Sequence, residues 1–394
     1  MFESIGRRFG IGVAIGVLLA AGIAAATWDE IRPASRAESS AAGPQSDPGS
    51  RDEPPQTAAT VPAGPDDASP PPASTEPEPQ LQAAAALVEK YADLGLIDVH
   101  NHDAARYLTS MKAWDRYRLA KVVLFGNISE PSAMLTDVAA WEAYRYNPDR
   151  IYPFFSGFDM FEEKGLETVR ERLEQGYLGI GETVAASMHS PVLARVIWKA
   201  AHPMDGNLPE VYKLCAEYDV PILLHIDPPS GEPIQKLKEA LDAYPDTIMI
   251  FAHANVYQSA ESIAALLQDH DNLYIDFFAG FTSYNPASPY RTEEYIDVIE
   301  QYPERFFLST DGAFDMTYDE AIPAMYETID LLKPETRMKV ASANFQRLID
   351  AQKPTRTQLR RFEEYGGSER TGQDPAVMSR HEMNVLLFEL AGEQ

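Results

Sequence analysis

The stretch LGLIDVHNHDAARY, residues 94–107, runs from an apolar segment into two histidines one residue apart, His100 and His102. A short apolar run that ends in polar residues reads as a buried strand, and alternate side chains of an extended strand share a face. Both imidazoles are therefore expected to look the same way, a geometry for gripping a metal ion. Two loop histidines would spell the same letters, so the rest of the chain must decide between the readings.

Working outward, similar apolar runs recur as AKVVLFG (120–126), IYPFFSG (151–157), YLGIGE (177–182), VPILLHI (220–226), TIMIFAH (247–253), NLYIDFF (272–278) and RFFLSTD (305–311). Helical patterns such as PSAMLTDVAAWEAYRYN, FEEKGLETVRERLEQG and SAESIAALLQDH lie between them, most closed by Pro, Gly or Asn. Continuous apolar strands alternating with helices mean a parallel sheet covered on its outside. Eight such units at a spacing of roughly 30 residues predict an α/β fold of the (β/α)8 TIM-barrel type. A doubly wound open sheet shows the same alternation, and only the count separates the two. No G-x-G-x-x-G follows the first strand, so nothing points to a dinucleotide.

The polar residues fall at strand ends: His100 and His102 after strand 1, Glu182 after strand 4, His225 after strand 5, His253 after strand 6 and Asp311 after strand 8. In a barrel the C-terminal strand ends form one rim, where residues distant in sequence converge. Four of the eight histidines thus meet two carboxylates at one mouth, which points to a metal site.

In that order, H-x-H after strand 1, His after strands 5 and 6 and Asp after strand 8, the chain resembles the amidohydrolase superfamily of metal-dependent barrel enzymes. IDVHNH, YNPDRIYPFFS, EYDVPILLHI, MIFAHAN, RFFLSTD and ANFQRLI resemble its amidohydrolase-2 branch of hydrolases and decarboxylases, over about residues 94–350. The resemblance implies His100, His102, His225 and Asp311 as ligands of a divalent metal, zinc first and manganese second. It implies His253 as the histidine that orients or deprotonates the attacking water, and Asp311 as the group that ferries its proton. For Glu182 it leaves open a ligand bridging two metals or a carboxylate contacting substrate. GIGE also resembles the TatD-type nuclease branch.

Several residues carry weaker expectations. Arg106 either holds a substrate carboxylate or pairs with a neighbouring acid on the surface. Asp98, placed by spacing on the face of His100, either holds a ligand histidine's second nitrogen or makes a structural hydrogen bond. Cys215, the single cysteine, fits a helix core. His189, His202, His270 and His381 read as solvent-facing, the first two also as rim residues. FFAGFTSYNPASPY, after strand 7, reads as a rim loop or a packing loop.

The flanks differ from the barrel. Residues 1–27 place Arg7 and Arg8 before an uncharged, mainly apolar run that ends in Ala24-Ala25-Ala26, which reads as a signal peptide or an uncleaved membrane anchor. The basic flank puts that end in the cytoplasm and the rest outside, in the periplasm or on the outer membrane face. Residues 28–80 hold twelve of the 30 prolines and almost no large apolar residue, too little to offset ordering entropy, and read as a disordered tether. The barrel is expected over 81–353. A helical extension, 354–394, is expected to dock outside it or against a second subunit, which leaves room for a homo-oligomer.

A net charge of −27 argues against nucleic acid or an anionic membrane as partner and suits an enzyme acting on small molecules. The favoured activity is metal-dependent hydrolysis of an amide, ester or lactone. The alternatives are non-oxidative decarboxylation of a small acid on the same scaffold, a TatD-like nuclease, which the acidity disfavours, and a barrel that binds without reacting.

Overall fold

The computed structural model describes residues 79–392. The expected export segment and nearly all of the expected tether lie outside those residues, and the helix Pro79–Lys90 opens the described part. Among the described residues no helix is long and apolar enough to cross a membrane.

Eight parallel strands follow one another around the sheet in chain order: β1 (Ile97–Asn101), β2 (Lys121–Leu124), β3 (Ile151–Phe155), β4 (Gly179–Ala186), β5 (Ile222–Ile226), β6 (Met249–Phe251), β7 (Leu273–Phe278) and β8 (Phe306–Ser309). Consecutive order excludes the doubly wound alternative, which needs a reversal of strand order. At the seam between β8 and β1 the buried Asp98 carboxylate joins the edges, accepting from Thr310 N at 3.0 Å and Thr310 Oγ1 at 2.6 Å. Burial raises its pKa to about 6, against the pull of those Thr310 bonds.

The strands alternate as their sequences require. Val122, Leu124, Ile222 and Leu224 face the helices, in the cluster that also holds Trp114 and Tyr212. Val123, Phe154, Leu223, Ile250 and Phe307 fill the interior together with Phe345 and Ile349 of the helix Asn344–Asp350. The Phe345 ring meets Phe307 edge-on with centroids 5.3 Å apart, so this helix plugs one end of the barrel with an aromatic stack.

Two irregularities position the site. Between Asp98 and Asn101, β1 advances three residues while β2 advances two, and β4 does the same against β5 between Ile180 and Thr183. Each extra residue is a bulge that re-aims a side chain, and the bulges carry His100 and Glu182. Gly181 makes the second one feasible: its φ is +143°, and a Cβ there would lie 2.6 Å from the Leu223 Cβ.

Helices Arg356–Glu364 and Arg380–Gly392 pack against the barrel. Arg380, only 2% exposed, donates to the carbonyls of Tyr218 (2.6 Å), Lys353 (3.2 Å) and Tyr177 (3.4 Å). Tyr177 and Tyr218 precede β4 and β5, so this extension covers the end of the barrel opposite the histidines.

Candidate metal centre

His100, His102, Glu182, His225, His253 and Asp311 all come together at the C-terminal ends of the strands. Their local settings differ from simple strand-end placement. Glu182 lies within β4, which runs on to Ala186, and His102 lies just beyond β1. His253 and Asp311 follow β6 and β8 in left-handed backbone, with φ of +35° and +48°. Such conformations are costly for residues with a Cβ and gather at sites where the surroundings enforce them.

Two of the imidazoles are oriented from behind. His100 donates from Nδ1 to Asp276 Oδ2 at 2.7 Å, and His102 donates from Nδ1 to the Gly126 carbonyl at 2.7 Å. Both Nε2 lone pairs are thereby turned toward the mouth, where they stand 3.0 Å apart. A cation between the two nitrogens would engage both lone pairs at once.

Carboxylates complete the ring. Asp311 Oδ1 lies 3.2 Å from His100 Nε2 and 3.5 Å from His102 Nε2. Glu182 Oε2 lies 3.3 Å from His102 Nε2 and 3.6 Å from His100 Nε2. Its other oxygen, Oε1, lies 2.9 Å from both His225 Nδ1 and His253 Nε2, which are themselves 3.1 Å apart. Two groups of donors are therefore close enough to share an ion, His100–His102–Glu182 and Glu182–His225–His253, with Glu182 common to both.

The electrostatics point the same way. Burial resists charge on His100, yet Asp311 and Glu182 raise its pKa well above the usual imidazole value. Burial is likewise outweighed at His102 by Asp311 and Glu182, and at His225 by Asp227 and Glu182, and each is raised to about 9. Glu182 is held well below the ordinary carboxylate range, the cationic His100 overcoming its burial. A mouth that draws protons onto its histidines has negative charge to spare for a cation. Neutral imidazole and carboxylate are donors that a zinc-like or manganese-like ion accepts, so the residues fit a divalent metal.

Sequence reasoning passed over two carboxylates. Asp276, fully buried in β7, accepts a hydrogen bond from His100 Nδ1 and another from His253 N at 2.9 Å. A lone acid inside the apolar run NLYIDFF was the available signal. Asp227, two residues past His225, stands 3.6 Å from its Nε2. It accepts from Ser187 Oγ (2.5 Å) and from the backbone N–H groups of Met188 (2.7 Å), His189 (3.1 Å) and Ser190 (2.9 Å).

Of the remaining expectations, the face of Asp98 and the solvent-facing reading of His270 and His381 are corrected. Asp98 lies beside Val122, on the helix-facing side of the sheet, because the β1 bulge follows it, and its role is the seam. The Arg106 guanidinium is three-quarters exposed and donates to Asp103 Oδ1 at 2.6 Å, the surface pairing. His270 is buried 3.3 Å from Asp242, and the half-buried His381 bonds Tyr144 through Nδ1 at 2.8 Å. Cys215 is buried as expected.

A family model described as an amidohydrolase, Amidohydro_2, matches residues 97–350. The chain belongs to this family. For this amidohydrolase, family and His/Glu cluster together support a divalent metal. No curated protein matches the sequence. Among solved structures it is similar to an uncharacterized TIM-barrel protein from Bordetella bronchiseptica, at 14% identity, 68% of this chain, 89% of that one and a TM-score of 0.46. It is also similar to 2,6-dihydroxybenzoate decarboxylase from Rhizobium, at 16% identity, 64% of this chain, 98% of that one and a TM-score of 0.46. A third is dihydroxybenzoic acid decarboxylase from Polaromonas sp. JS666 with bound manganese and an inhibitor, at 16% identity, 64% of this chain, 96% of that one and a TM-score of 0.42.

Proposed function

We propose that this amidohydrolase is a hydrolase of an amide, ester or lactone bond in a small molecule, with zinc as its metal. The observation that carries the reading is the division of Glu182, whose two oxygens face two different donor groups. In this assignment His100, His102, Asp311 and Glu182 would hold one ion, and His225, His253 and Glu182 would hold a second. When bound there, such ions would supply Lewis-acid polarisation and lower the pKa of water to about 7.

The chain's own groups do the rest. Asp276 and the Gly126 carbonyl keep the His100 and His102 lone pairs turned inward, so no reorganisation is needed on binding. Asp311, partly exposed at the mouth, accepts a proton from attacking water and returns it to the leaving group. His253 moves in this reading from a general base to a ligand, because its Nε2 is shared with Glu182 Oε1. The apolar run behind Arg7 and Arg8 supports an exported enzyme, in the periplasm or on the outer face of the cytoplasmic membrane.

The reaction is tested by incubating zinc- or manganese-loaded protein with panels of lactones, esters and N-acyl compounds, beside small aromatic acids followed for CO2 release. Metal-dependent turnover of the first panel, lost in Asp311→Asn, is expected. CO2 release with the first panel inert would replace hydrolysis by decarboxylation.

A further inference from the structure

Tyr257 closes the short helix Ala254–Tyr257 that begins directly after His253. Its ring meets His253 edge-on with centroids 5.9 Å apart, and His225 edge-on at 6.3 Å. The ring therefore leans on both imidazoles of the second donor group. The ring thus sits beside the second donor group, next to the two imidazoles that share Glu182 Oε1.

Tyrosine hydroxyls removed from water almost always find a partner. Those of Tyr144, Tyr177, Tyr212, Tyr295 and Tyr326 bond His381, Asp137, Pro203, Gln258 and Tyr117 respectively. The half-buried Tyr257 hydroxyl has no hydrogen-bond partner among the described residues. A phenol with a reference pKa of about 10 keeps its proton at neutral pH, so it presents an unused donor.

We propose that Tyr257 is a catalytic residue whose hydroxyl donates a hydrogen bond to the substrate oxygen that becomes negative during hydrolysis. When water adds to a carbonyl carbon, the C=O electron pair moves onto that oxygen. A neutral donor already facing it stabilises the new charge without reorganising. The assignment rests on the hydrolase reading and extends it to substrates whose carbonyl oxygen turns toward the His225–His253 side of the mouth.

The test uses the full chain and its Tyr257→Phe variant, both loaded with zinc. Acetohydroxamate, a small ligand with an anionic oxygen, is titrated by calorimetry, and zinc affinity is measured separately by chelator competition. Loss of a hydrogen bond to a charged oxygen predicts binding weaker by about tenfold or more, with zinc affinity unchanged. Equal acetohydroxamate affinity in the two proteins would overturn the role of Tyr257 and leave the metal centre standing. Failure of the wild-type chain to take up zinc, or of its zinc-loaded form to bind acetohydroxamate, would remove the hydrolase reading and the Tyr257 assignment with it.

Discussion

Replacing Asp276 with asparagine probes how the histidines are held. One oxygen, Oδ2, receives both the His100 Nδ1–H at 2.7 Å and the His253 backbone N–H at 2.9 Å, deep in β7 with no exposure. Asparagine keeps the shape and an acceptor but removes the negative charge that makes His100 a better donor. Loss of such an outer partner typically weakens metal binding by about 10–100-fold, or roughly 1.4–2.8 kcal/mol at about 1.4 kcal/mol per decade. Asp276→Ala should cost more, because His253 would lose the acceptor that helps hold its backbone at φ +35°. Chelator competition on wild type, Asp276→Asn and Asp276→Ala reads these affinities directly. Zinc affinity in Asp276→Asn within about threefold of wild type would refute the claim that this carboxylate tunes the centre.

Three further outcomes follow from the same geometry. Asp227→Asn should speed hydrogen exchange at the Met188, His189 and Ser190 amides, which the carboxylate now ties down; unchanged exchange would contradict that role. Burial raises the pKa of Asp137 to about 7, against about 3.9 for a free aspartate. The folded chain therefore binds more protons than the unfolded one between those values, and this group's contribution to stability, full below about pH 4, is lost as pH rises to 7. Asp137→Asn should flatten the dependence of Tm on pH across that window, and an unchanged slope would count against the shift. Arg380→Ala should destabilise the barrel by on the order of 3 kcal/mol, since three carbonyls lose their donor; denaturant unfolding measures it, and a change below about 1 kcal/mol would contradict the account.

The fold was legible because a parallel barrel leaves a periodic mark. Runs such as VPILLHI and NLYIDFF are apolar on both faces, and their number alone separates a closed barrel from an open sheet. His225 and His253 were legible for the same reason, as polar residues at the C-terminal ends of otherwise apolar runs. Less legible was anything that depends on register. Strict alternation puts Asp98 with His100, but a one-residue bulge in β1 reverses the face between them. Glu182 reads as a strand end, yet β4 continues for four more residues, and its inward aim comes from a second bulge at Gly181. Asp276 and Tyr257 meet His100 and His253 only through packing between neighbouring strands and the loops that follow them. Sequence spacing carries no record of such a pairing.

The central claim is that Glu182 joins two cation sites, and metal stoichiometry tests it most directly. Purified protein saturated with zinc and freed of excess should hold about two ions per chain by elemental analysis. In Glu182→Gln, which keeps the volume and loses the charge, the ratio should fall to one or below. A wild-type chain that holds one ion, with the same ratio in Glu182→Gln, would contradict the account and return Glu182 to a substrate-facing role.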